Sequence, residues 1–95
     1  MRVVSRLATR TFAERFLDAL EPLGCWVNAV EEASWKTSSG VRQSFHSADF
    51  VGDLTVFDVG GNRYRLIAYI QYQRGNLLIK NILTHKEFDE GAWKR

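Results

Sequence analysis

The chain has one cysteine, Cys25, and one proline, Pro22, among 95 residues. A lone thiol closes no intrachain disulfide, which excludes the stapled framework of many small secreted domains and points to a reducing cytoplasm. Cys25, beside Trp26, reads as a small hydrophobe buried on a helix. No apolar run reaches the roughly 18 residues of a membrane span, and the opening MRVVSRLATR is too polar for a signal peptide. Metal-ligand spacing is missing as well. The histidines, His46 and His85, belong to no HxxxH pattern, and there is no CxxC or paired-carboxylate motif. Without a GxxxxGK[ST] phosphate loop, no cofactor is expected. Charge of one sign is scarce too, since 13 Lys and Arg against 11 Asp and Glu leave a net +2. Any basic surface must come from where the cations cluster.

What is present is apolar and aromatic: 45% hydrophobic residues, with three tryptophans and six phenylalanines. That suffices for one modest core, and a single domain over 1–95 is expected. RVVS at 2–5 fits a short strand, with Ser5 as N-cap of a helix to about Leu17. Pro22 suits the first turn of a second helix, where Leu23, Trp26, Val27 and Val30 make an apolar stripe ending near Ala33. Ser38 or Ser39 would cap a third helix to about Phe45. From Asp53 the period becomes two. DLTVFDV, RYRLIAYIQY and NLLIKNIL form a three-stranded antiparallel meander, turning at GGN and at Arg74-Gly75-Asn76. The N-terminal strand would join it. The fold class is α+β, with N-terminal helices packed on one face of a small antiparallel sheet. The tail KEFDEGAWKR fits a helical turn or an arm.

Alternation along 62–72 sends Tyr64, Leu66, Ala68, Ile70 and Tyr72 to the core. Arg63, Arg65, Ile67, Tyr69 and Gln71 take the other face. The two arginines would then project together, about 7 Å apart. They could be solvated, paired with Asp53 or Asp58, or act as a bidentate phosphate clamp. His85, at a strand end, would stand beside them, while His46 reads as structural. Lys36, Arg42 and Lys80 are, on charge alone, candidates for contacts to a phosphate backbone.

Three blocks, WKTSSGVRQSFHSADFV, VFDVGGNRYRLIAYIQY and NILTHKEFD, occur in an order that resembles the HigB family of type II toxins, within the RelE-like superfamily. That family carries an FPSAD-like segment, then FNIGGNKYRL, then THAEYD, and the resemblance spans nearly the whole chain. It implies a microbial-ribonuclease-like fold and a metal-independent mRNA interferase acting in the ribosomal A site. A cognate helix-turn-helix antitoxin is also implied. Arg63 and Arg65 match the family's basic pair and His85 its late histidine, which implies catalytic roles for all three. Arginine's pKa, above about 12, bars it from acting as base, so both are expected to stabilise the transition-state phosphate. Imidazole suits proton transfer.

Two departures stand out. Phe88 replaces the family tyrosine, keeping a ring for base stacking without a hydroxyl, and Tyr69 or Tyr72 could supply one. Asp58 replaces an asparagine and is expected to pair with Arg63. An alternative is a RelE-like module that binds RNA, the ribosome or a partner without cleaving. A face that only docks a helix-turn-helix partner is a third reading.

Overall fold

The structure is a computed structural model and describes residues 1–91 and 93. Five strands form one sheet in the order β1-β5-β4-β3-β2. They are β1 (Arg2–Val4), β2 (Asp49–Val51), β3 (Leu54–Val59), β4 (Tyr64–Gln71) and β5 (Asn76–Thr84). The expected meander is its centre, with β3, β4 and β5 antiparallel in sequence order. The edges add what periodicity alone did not give. β2, too short to show an alternating pattern, pairs antiparallel with β3. β1 joins β5 in parallel, so the sheet is mixed.

The helices are α1 (Leu7–Arg15), α2 (Leu20–Glu32), α3 (Ser38–Ser44) and α4 (His85–Glu90), with a 3₁₀ turn at Leu17–Ala19 between the first two. In α2 the stripe Leu23, Trp26, Val27 and Val30 is buried as its spacing requires. Cys25 falls off that stripe and is exposed, contrary to expectation. Ser5 does not cap α1. It takes φ 70 in the link from β1 into the helix, whose N-cap is Arg6 with no side-chain cap bond. Thr37, not a serine, precedes α3, also without a side-chain cap.

Helices and sheet meet in one aromatic-rich core. Phe57, 1% exposed, touches Trp26, Trp35 and Phe45, at ring separations of 5.3, 6.4 and 5.1 Å. Tyr64, Leu66, Ala68 and Ile70 face this core from β4, as alternation predicts. One irregularity matters later. Ile67 pairs with Asn81 while Ala68 pairs with Ile79, so Lys80 is an extra residue bulging from β5. The bulge lets Ile79 and Ile82, three apart, both join the helix-side core.

The tail is the helical turn that was one of the two expectations. Thr84 accepts from the Glu87 N–H, the Glu87 carboxylate accepts from the Thr84 N–H, and Gly91 ends α4 at φ 75. The rest of that expectation, at 92, 94 and 95, lies outside the described residues. Among the described residues no helix is long and apolar enough to cross a membrane.

Candidate active site

The site is built where the GGN turn, the start of β4 and the start of α4 meet. Gly60 and Gly61 take φ 66 and 68, a left-handed pair that costs glycine little and lets the chain reverse. Residues 60–63 all belong to this turn and β4 begins only at Tyr64. Strand alternation therefore does not govern Arg63, which corrects the expected paired projection. Arg63 curls back, donating from Nε to the Gly60 carbonyl at 3.2 Å and from Nη1 to Asp18 at 2.6 Å. Asp18 sits in the 3₁₀ turn on the helix side. Its other oxygen accepts from the Tyr64 hydroxyl, so one carboxylate ties the turn and the strand to the helices. That hydrogen bond, and then burial, raise the Tyr64 pKa above its ordinary 10.0.

Arg65 does obey alternation and faces away from the helices. Only 8% of the residue is exposed. Its Nε lies 3.1 Å from Asp58, its direct cross-strand neighbour on β3. Nη1 donates to the Tyr64 carbonyl at 3.1 Å, and Nη2 donates to Asn62 at 2.6 Å. The Phe88 ring of α4 lies 5.5 Å from its guanidinium carbon. Asp58 thus pairs with Arg65, not with Arg63, because cross-strand register places it there. A guanidinium carries five N–H groups. With these partners engaged, each terminal nitrogen keeps one N–H for an incoming acceptor.

His85 opens α4 directly beyond the strand pair Tyr64–Thr84, and its backbone N–H donates to the Arg63 carbonyl at 3.0 Å. Its ring is 43% exposed, and Nδ1 lies 3.0 Å from Asp89, one helical turn on. His85, both arginines and Phe88 therefore all belong to the end of the sheet around the Tyr64–Thr84 pair. Phe88 is itself engaged, stacking on Trp93 at 5.1 Å and 12° as well as meeting Arg65.

The remaining candidates lie elsewhere. Lys36 lines a depression with Arg74 and Gly75, at the opposite end of β4 and β5. Arg42 braces the loop before β2, donating to the Ala48 carbonyl at 3.0 Å and lying 5.2 Å from the Phe50 ring. His46 is exposed beside Arg42. Lys80 lines a groove against α1. These three cations, chosen on charge alone, lie apart from the residues around Arg65. Asn62 and Asp18 were missed. Asn62 had a local signal, three residues before Arg65 at a turn, whereas Asp18 lies 45 residues before Arg63 and had none.

Among the described residues no group of three or more His, Cys, Asp or Glu side chains comes close enough to hold a metal ion. The family model described as HigB_toxin, the RelE-like toxic component of a toxin–antitoxin system, matches residues 19–91. An mRNA interferase HigB of Escherichia coli O6:H1 is 27% identical over 93 residues, covering 95% of this chain and 90% of that protein. The mRNA interferase toxin HigB of Escherichia coli K12 is 26% identical over 92 residues, covering 94% and 88%. A Shigella flexneri mRNA interferase HigB matches to the same extent, 26% over 92 residues. With the family model covering most of the sequence, including the turn, β4 and α4, the chain belongs to the HigB family of RelE-like toxins.

Proposed function

We propose that this toxin is an mRNA interferase, a metal-independent endoribonuclease that cuts mRNA on the translating ribosome in the cytoplasm until an antitoxin silences it. The observation that carries the reading is the constellation at the end of the sheet. A guanidinium held by three polar partners and a ring stands at the same strand end as an exposed imidazole.

Metal-free cleavage needs a base for the 2′-hydroxyl proton, positive charge at the pentavalent phosphate, and a proton for the departing 5′-oxygen. Arg65 supplies fixed charge and its two remaining N–H groups. A donor oriented before the substrate arrives needs no reorganisation in the transition state. An Nδ1–H held by Asp89 leaves Nε2 of His85 as the acceptor of the 2′-hydroxyl proton, and solvent at this exposed imidazole supplies the proton for the departing 5′-oxygen. Arg63, more than half exposed, exchanges Asp18 for an RNA phosphate at little cost, since both are anions and a surface ion pair is weak. Phe88 packs on the guanidinium and holds it in place, a role for which the missing hydroxyl is irrelevant.

One observation favours a second reading, an RNA- or ribosome-binding module that does not cut: Asp58 already neutralises Arg65. Expression in a bacterium separates the two. The interferase arrests growth and leaves new mRNA 5′ ends in the A site, and Arg65→Ala abolishes both. Ribosome co-sedimentation without new ends establishes the binding module. Equal growth and intact mRNA with both proteins rule out the interferase.

A further inference from the structure

A concavity that the candidate site does not use lies on the other side of the sheet from Arg65. A groove of about 540 Å³ runs between α1 and the outer edge of β5. Its floor and walls are Leu7, Ala8 and Phe12 from α1 with Ile79 and Ile82 from β5. Leu7 is 69% exposed, a large apolar side chain left open to solvent. The groove stays open because β1 pairs only with Asn76, Leu77 and Leu78. Beyond that point no strand among the described residues adds to this edge.

Two cations, Arg15 and Lys80, line this groove, and no Asp or Glu does. Among the described residues neither cation has a carboxylate partner. Arg15 lies over the Phe16 ring, at 5.2 Å. Apolar floor and unpaired positive rim together specify the complement: an apolar stripe flanked by carboxylates. The bulge decides its secondary structure. An extended segment would have to pair along β5 through Lys80, where the extra residue breaks the ladder and a lysine guards the edge. A helix needs no backbone pairing and uses side chains alone. A second copy of the chain fits poorly, because its own Arg15 and Lys80 would meet like charges.

We infer that this groove is the docking site for an amphipathic helix of a partner polypeptide, with apolar residues on one stripe and Asp or Glu beside it. Identifying that polypeptide as the antitoxin rests on the function proposed above. The groove and its chemistry do not.

The test uses the full chain and two synthetic helical peptides of about 16 residues, or four to five turns. They share one Leu/Ala stripe and differ in carrying Glu or Lys at its flanks. Fluorescence anisotropy gives affinity and amide chemical shifts give position. The Glu-flanked peptide is expected to bind about tenfold more tightly than the Lys-flanked one. Its shifts centre on Leu7, Ala8 and Ile82. Leu7→Asp, at an exposed site, leaves the melting temperature unchanged and weakens binding about tenfold. Arg15→Glu with Lys80→Glu reverses the preference between the peptides. Equal affinity for both, binding that survives Leu7→Asp, or self-association through Leu7 would each overturn the inference. The readouts are independent of cleavage. Peptide docking without mRNA cutting removes the proposed activity and leaves the groove, and cutting without docking does the reverse.

Discussion

Tyr64 and Arg65 are consecutive on β4 and lead into two differently built halves of the molecule. On Tyr64's side, rings pack on rings. Phe12 and Phe16 lie 5.3 and 5.7 Å from it, and the Phe57 cluster continues the same layer. On Arg65's side an ion pair follows the cross-strand pair Val56–Ile67 on the same face, with α4 at one end. The first face supplies stability through buried area. The second commits a desolvated charge to one orientation, which contributes little net stability and much position. Arg63 looks like a twin of Arg65 in sequence, yet it belongs to the first face through Asp18.

The difference is broken most severely in the ring layer. Phe57→Ala is expected to cost about 4 kcal/mol, because the cavity is lined by large side chains unable to close it. Urea unfolding monitored by tryptophan fluorescence checks this. Next comes the polar face. Asp58→Asn leaves the largely buried guanidinium without its counter-charge, at about 2–3 kcal/mol. It also lets the guanidinium turn, so activity falls even at temperatures where the protein is folded. Unfolding curves paired with cleavage rates would show both losses.

Smaller effects sharpen the boundary between the halves. Tyr64→Phe is expected to cost about 1 kcal/mol at neutral pH by removing the bond to Asp18. Its pH dependence has a definite sign. The Tyr64 pKa is raised in the folded state, so the protonated hydroxyl's contribution is complete below the ordinary 10.0 and is lost as pH rises through the raised value. The native chain should therefore lose stability more steeply above pH 10 than Tyr64→Phe does. Parallel curves would mean that the bond to Asp18 is not formed in solution. Arg63→Ala is expected to change stability by only about 0.5 kcal/mol, as exposed ion pairs do.

Much of this was legible in the sequence, for local reasons. The α2 stripe, the turns and the inward face of β4 follow from periods set by backbone geometry. Arg65's outward direction follows from the same rule. The errors lie where long-range contacts decide. Arg63 was assigned a strand face although the turn had not yet ended, and its carboxylate partner comes from a distant element. Asp58 was matched to the wrong arginine because register, not proximity to the turn, selects cross-strand neighbours. The parallel pairing of β1 and the site of the Lys80 bulge likewise depend on tertiary assembly. His85's place at the same sheet end as the arginines follows from its position at a strand end, whereas charge alone carries no geometry for Lys36, Arg42 and Lys80.

The most direct test compares the twins. Cleavage rates of a translated mRNA would be measured for the native chain, Arg63→Ala and Arg65→Ala, each verified as folded. Arg65→Ala should lose about a hundredfold or more, as removal of a preorganised charge stabiliser does. Arg63→Ala should lose only about three- to tenfold, from weaker phosphate binding. Equal losses, or a greater loss at Arg63, would contradict the assignment of the catalytic charge to the guanidinium held by Asp58, Asn62 and Phe88.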